Sequence, residues 1–220
     1  MRVLIEAAVE SLDDALAAQE GGAHRLELCA DLDAGGTTPA RSVIASVIAA
    51  VRLPVVVMVR DRPGDFVYSR PELDRMRRDV ALALVLGAEG IVTGALTADG
   101  DVDAAAVRQL MGAAHGLPFT FHRAIDETRD MLESIDALRR LGVKRVLSSG
   151  AAPTALEGTV ALAAMVERAG DKLAVVAGGG VRAENVVDVV RRSGVRQVHA
   201  RCGADAGRIA AIAEALARLG

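Results

Sequence analysis

Glu6, Glu27, His122 and His199 are residues of the types that move protons, and each falls in a short apolar run where strand alternation turns it away from its hydrophobic neighbours. Strand side chains point to alternate faces, so parity sorts them. In Arg25-Leu26-Glu27-Leu28-Cys29 the leucines suit an apolar layer, which turns Glu27 and Cys29 the other way. Between Val3 and Val9, the set Val3, Ile5, Ala7 and Val9 takes the apolar face and leaves Glu6 opposite. Phe119 and Phe121 do the same for Thr120 and His122. The same alternation places Met58 with Arg60, Thr93, and His199 with Arg201 on the polar face. Neighbouring carboxylates raise one another's pKa and histidine titrates near neutrality, so Glu6, Glu27, His122 and His199 are the candidate acid–base catalysts. Arg60 is suited to hold a carboxylate or phosphate.

The elements that carry these residues form a repeat. Eight β-branched runs, Arg2–Val9, Arg25–Ala30, Pro54–Arg60, Gly90–Leu96, Pro118–Ala124, Arg145–Gly150, Leu173–Gly180 and Gln197–Cys202, alternate with Ala/Leu-rich helical stretches. A strand–helix unit repeated in this way predicts an α/β fold, a single (β/α)8 TIM barrel, with an open doubly wound sheet as the lesser alternative. The polar face is then the barrel interior, which is normally filled by bulky aliphatic side chains. An unpaired charge there costs several kcal/mol, so Glu6, Glu27, Arg60, Arg201, His122 and His199 must pair, reach solvent at the mouth, or meet a ligand. A buried ion network that fixes strand register is the structural alternative. Barrel active sites lie at the C-terminal ends of the strands. His122 and His199 come late in their strands, whereas His24 and His115 precede theirs and belong to the opposite face.

Composition narrows the classes. Of 220 residues, 51% are hydrophobic but only 2% aromatic, so Ala, Val and Leu must build the core. Net charge is −3 and the basic residues are dispersed, which argues against a nucleic-acid or membrane surface. No apolar run approaches the roughly 20 residues of a membrane span. A strand begins at once with no signal-peptide pattern, and Cys29 and Cys202 offer no disulfide framework, so a cytoplasmic protein is expected. With no linker or low-complexity segment, residues 1–220 read as one domain. Gly21-Gly22, Gly87, Gly142, Gly170 and Gly194 read as left-handed helix caps. The loop after strand 3 holds Arg62, Asp65, Phe66 and Tyr68, the two aromatics forming either a wall over the mouth or an anchor on helix 3. Gly178-Gly179-Gly180 leads into a helix with Arg182 and Glu184 near its start, where bare N–H groups can bind an anion. Gly35-Gly36-Thr37-Thr38-Pro39 is either a second such loop or a threonine cap for helix 2.

Several of these segments together resemble the CutC family, named for copper homeostasis. They are Glu27-Leu28-Cys29, Gly35 to Pro39, Gly64-Asp65-Phe66 with Tyr68-Ser69, Thr93 to Leu96, Thr120 to Ala124 with Asp126, Ser149-Gly150, Gly178 to Val181 and Val198-His199-Ala200. The motifs run in family order across nearly the whole chain. The resemblance implies a cytoplasmic (β/α)8 barrel with a Cu(I)-associated role and a site at the charged mouth. It adds Arg123, Asp126 and Ser149 to Arg60, Arg62, Asp65, Arg201 and Gly178–Gly180 as ligand-binding candidates. Members often carry cysteine just after Glu6, where this chain has Ala7-Ala8, and a small hydroxyl residue where it has Arg201. Cu(I) favours soft ligands, so Cys29 is the metal candidate, with Met58, His122 or His199 as partners or a symmetry mate in a homo-oligomer. Cys202 shares parity with Val198 and Ala200 and should face the helices. The rival expectation is an enzyme that transfers a proton on a small anionic, phosphorylated or carboxylated metabolite.

Overall fold

The computed structural model describes residues 3–219. Its strands are β1 (Leu4–Val9), β2 (Arg25–Leu28), β3 (Val55–Met58), β4 (Gly90–Thr93), β5 (Phe119–Phe121), β6 (Arg145–Ser148), β7 (Ala174–Ala177) and β8 (Gln197–Arg201). All pair in parallel and in sequence order, and β8 closes on β1 with Glu6 opposite His199. This is a TIM barrel, and closure excludes the open doubly wound sheet. Arg2, expected to start the first strand, lies outside the described residues.

The helices α1 (Leu12–Glu20), α2 (Arg41–Ala50), α3 (Arg70–Val85), α4 (Ala104–Ala113), α5 (Met131–Leu141), α6 (Thr159–Ala169), α7 (Val186–Ser193) and α8 (Ala206–Ala217) surround the sheet. Each has local reasons to form. In α7, Val186, Val189, Val190 and Ser193 are buried at helical spacing and make one inward stripe. Ser69 and Glu72 form a reciprocal capping box at the start of α3, and Asp103 and Asp130 cap α4 and α5. No helix among the described residues is long and apolar enough to cross a membrane.

Two cores result from strand alternation. The outer one joins Ile5, Leu26, Leu28, Val57, Ile91, Phe119, Phe121, Val146, Val198 and Cys202 to the helices. The inner one is small, made of Cys29, Val56, Met58 and Val92 with Leu32 against it. Parity therefore holds for Glu27, Cys29, Met58 and Cys202, but not for Thr93. Ile91 packs outward and Val92 inward, so Thr93 shares the outward side with Ile91 and pairs beside Phe121.

Every strand except β1 ends before its expected run does. β5 stops at Phe121, since His122 Nδ1 accepts the N–H of Ala124 and caps a 3-10 turn over Arg123–Glu127. Gly22, Gly87, Gly142 and Gly194 adopt positive φ as caps do, but Gly21 and Gly170 correct the expectation. Gly21 stays right-handed, and its value is space: a Cβ there would lie 2.5 Å from the Ala206 carbonyl. Gly170, with φ 56° and ψ −148°, leaves α6 into a short 3-10 turn. The threonines after β2 do not cap α2, whose first cap is Ala40. Thr37 Oγ1 donates to Asp31, while Thr38 Oγ1 bonds both the N–H and C=O of Arg60, tying this loop to β3.

Candidate functional site

The deepest part of the interior is an ion network centred on Glu6. Arg25 Nε meets Glu6 Oε2 at 2.5 Å, and Arg25 Nη2 donates to Gln197 Oε1. Arg145 Nε donates to Thr120 Oγ1 nearby. His199 Nδ1 lies 2.9 Å from Glu6 Oε1 and 3.9 Å from Glu27 Oε2. Arg25, Arg145 and Gln197 were not singled out in the sequence, yet Arg25 shares the parity of Glu27, so the same rule places it.

Environment splits the two carboxyls. Burial pushes both up, but for Glu6 the His199 hydrogen bond and the Arg25 charge outweigh it and bring the pKa down to about 2. Glu27 has no such pairing, and burial carries it up to about 7 despite the opposing charge of His199. Burial lowers His199, but Glu27 and Glu6 together more than reverse this, so its pKa is raised. With Glu6 ionised, His199 Nδ1 carries a proton toward it, leaving Nε2 as the second nitrogen of a ring that lines the cavity. Glu27 Oε1 accepts the Cys29 thiol at 3.4 Å. Glu27 Oε2 is buried without a hydrogen-bond partner.

His122 has the opposite character. Burial and the nearby Arg60 charge bring its pKa down to about 3, so the ring is neutral. Because Nδ1 accepts from Ala124, the proton sits on Nε2, which is buried without a partner. Phe66 packs on this ring, centroids 4.8 Å apart, and on the Arg60 guanidinium at 4.7 Å. Phe66 is therefore a wall of the site, whereas Tyr68 packs under Arg62 and anchors the loop. Arg60 is buried and spends its terminal nitrogens on the carbonyls of Ala34, Gly36 and Gly64. It holds the β2 and β3 loops together and does not line the cavity.

A cavity of about 890 Å³ opens above this network at the C-terminal ends of the strands. Glu27, Met58, Phe66, His122, His199, Gly179 and Gly180 line it, and Arg123, Arg182, Arg201 and Arg208 stand on its rim. Two rim arginines are already employed. Arg201 pairs with Asp33 and Glu10, and Arg123 binds Asp126 and Ser149. Asp126 is the hub of the β6 loop, accepting from Ser148 Oγ and from the N–H groups of Ser149 and Ala151. Arg182 has no carboxylate partner among the described residues, and Arg208 has only Asp205 at 3.7 Å. Gly179 and Gly180 adopt φ +107° and +69°, and no described acceptor takes the N–H of Gly180 or Val181. Gly178 packs instead of binding: a Cβ there would lie 2.6 Å from Leu147 Cδ1. Arg62 and Asp65 pair with each other and, through Arg62, with Glu72, outside the cavity lining. Arg208 went unnoticed because it sits in the first turn of α8, beyond any strand pattern.

For metals, Glu6, Glu27 and His199 offer ligand atoms within 4.8 Å of one another. Cys29 Sγ and Met58 Cε both approach Gly36, at 3.7 and 3.4 Å from where its Cβ would be, so the two sulfur side chains share one wall.

Comparison with known proteins gives the family and the fold. A family model described as "CutC family" matches residues 3–204. A family protein CutC from Xanthomonas campestris pv. campestris is 45% identical over 196 residues, covering 89% of this chain and 82% of that one. The Homo sapiens copper homeostasis protein cutC homolog is 42% identical over 206 residues, covering 93% and 76%. A Streptococcus agalactiae crystal structure carrying the name CutC superposes with a TM-score of 0.86 at 36% identity, covering 90% of this chain and 98% of that one. More distant barrels, such as a Pyrococcus furiosus phosphoribosylanthranilate isomerase at 14% identity and TM-score 0.66, share the fold alone.

Proposed function

We propose that this chain, which belongs to the CutC family, binds a small anionic metabolite at its barrel mouth and moves a proton on it. The observation that carries this reading is a pair of atoms, Glu27 Oε2 and the Nε2 of His122: both are buried, both lack a hydrogen-bond partner, and both belong to residues lining one cavity. Leaving such groups unsatisfied costs about 1–3 kcal/mol each, a cost a ligand removes. Their chemistry is complementary. Glu27 exchanges a proton near neutral pH, His199 is a second acid–base group oriented by Glu6, and His122 presents a neutral N–H donor. Arg182, Arg208 and the Gly179–Val181 amides are placed to take the anionic end.

Thermal denaturation against a panel of phosphorylated and carboxylated metabolites tests this. A ligand at 100 times its dissociation constant adds about 2.7 kcal/mol of stability. The gain should fall sharply in the Arg182→Ala, Arg208→Ala double variant. If no anion stabilises the wild type, or the double variant responds fully, the ionic interior is a structural network and the proposal fails.

A second reading concerns Cu(I) as cargo, and the shared wall of Cys29 and Met58 favours it. The donor set is one thiol and one thioether, because Cys202 lies in the outer core. Burial, then Glu27, pushes the Cys29 thiol well up, so it is protonated. Cu(I) must displace that proton, and Glu27, already accepting it in a hydrogen bond, is where it would go. Retention against a Cu(I) chelator should be weak and lost in Cys29→Ser but kept in Cys202→Ser. Equal retention by both variants would contradict a Cys29 site.

A further inference from the structure

We infer that the ligand of the mouth is a phosphorylated hydroxy-aldehyde or hydroxy-ketone, and that Glu27 and His122 are the catalytic residues that enolise it. The inference rests on the proton-transfer reading above and assigns its substrate class. It follows from what Glu27 Oε2 and His122 Nε2 can and cannot do. His122 Nε2 is a donor only, because Nδ1 is already used as the acceptor for Ala124 N–H. A neutral, buried N–H donor suits an oxygen that starts uncharged and gains negative charge, which is a carbonyl becoming an enolate. Glu27 Oε2 is an acceptor with no donor, the group that takes a proton from carbon. A ring already cationic would attract the phosphate itself. His122 does not, and the available positive charge is instead on the rim at Arg182, which has no carboxylate partner among the described residues, and at Arg208, whose Asp205 partner stands off at 3.7 Å, beside the free Gly180 and Val181 amides. The molecule that satisfies both ends has an anionic group at one end and a carbonyl with an adjacent C–H at the other.

The step balances without an oxidant, reductant or further reactant. A Glu27 carboxylate oxygen takes the proton from the carbon beside the carbonyl. The C–H electron pair becomes the C=C bond of an enediolate, and the carbonyl π pair moves onto oxygen, whose negative charge His122 Nε2–H stabilises by a hydrogen bond. Protonated Glu27 then returns a proton to carbon. Return to the same carbon gives back the substrate or its epimer. Return to the neighbouring carbon, after a hydroxyl proton crosses between the two oxygens through His199, gives the aldose–ketose isomer. In every case a carbon-bound hydrogen exchanges with solvent.

Full-length protein incubated in D2O with phosphorylated aldoses and ketoses, from trioses to hexoses, provides the test by proton NMR. Wild type should replace the hydrogen beside the carbonyl of at least one compound. Glu27→Gln should slow this by about 10²–10⁴-fold. His122→Asn, in which the amide oxygen can still cap Ala124 while the donor is lost, should slow it by about 10²–10³-fold. Both variants should still be stabilised against heat by the corresponding polyol phosphate, which has no carbonyl. Stabilisation by polyol phosphate with no exchange of any sugar phosphate would overturn enolisation and leave anion binding standing. Exchange that survives Glu27→Gln would overturn the assignment of the base. Absence of both stabilisation and exchange would overturn this inference together with the reading it rests on.

Discussion

Replacing Glu27 by Gln should make this protein more stable at pH 8, with a gain that shrinks steadily as the pH is lowered toward 4.5. The folded-state pKa of Glu27 is raised from the 4.5 of a solvated glutamate to about 7 by burial. A carboxyl with a raised folded pKa contributes fully below its unfolded value and loses that contribution as pH rises through the folded one. Between 4.5 and 7 the folded chain holds a proton that the unfolded chain has released, so stability falls with rising pH. The difference corresponds to roughly 3 kcal/mol at completion, an order of magnitude for a side chain that is only 2% exposed. Glu6 does not disturb the window, because its lowered pKa of about 2 makes its contribution constant above 4.5 and lost only in acid. His199, raised above 6.5, adds a further loss as pH climbs past that value, and this should shrink in the variant, where Glu27 no longer supports its charge. Gln resembles the protonated carboxyl in shape and cannot ionise, so the variant should show a flatter profile. Urea denaturation at pH 5, 6, 7 and 8 measures this directly. Identical pH profiles for the two proteins would refute the claim that Glu27 is a strained, protonatable group held for function.

Two further outcomes follow from the same network. Arg25→Met leaves Glu6 buried with only His199 beside it and should cost about 3–5 kcal/mol in urea denaturation at pH 7; a loss under 1 kcal/mol would contradict the pairing. Nitrogen NMR of the imidazoles should find His122 neutral with its proton on Nε2 from pH 5 to 8, and His199 still cationic at pH 6.5, above which it titrates; a His122 that protonates in this range would contradict its role as a neutral donor.

Parity was sufficient for Glu6, Glu27, Cys29 and His122 because each is adjacent to a large apolar side chain, Ile5, Leu26, Leu28 or Phe121, that packs against the helices. It gave no answer for strands 6 and 7: β7 is aliphatic on both faces, and in β6 the polar residues Arg145 and Ser148 fall on opposite faces, so neither face is marked as the interior. Thr93 was misplaced because Gly90-Ile91-Val92-Thr93 offers two adjacent β-branched residues, and only the inner packing of Val92 against Met58 settles which one faces in. Arg60 shows a different limit. Its inward direction was legible, but not that three backbone carbonyls would claim its guanidinium. Loop carbonyls leave no trace in residue type. The rim divides in the same way. Arg182 was legible beside the glycine run but lies in the loop ahead of α7, which starts only at Val186 and not around Arg182 and Glu184 as expected. Arg208 sits in the first turn of α8, beyond any strand pattern.

The account's central claim is that the mouth, and not the floor around Arg25 and Arg145, is a ligand site. Glycerol 3-phosphate titrated into labelled protein and followed by amide NMR locates binding residue by residue. The account predicts saturable shifts at the amides of Gly179, Gly180 and Val181 and at His122 Nε2, with the floor unchanged. Shifts confined to Arg25, Glu89 and Arg145, which line a separate floor pocket, or no saturable shifts at all, would contradict it.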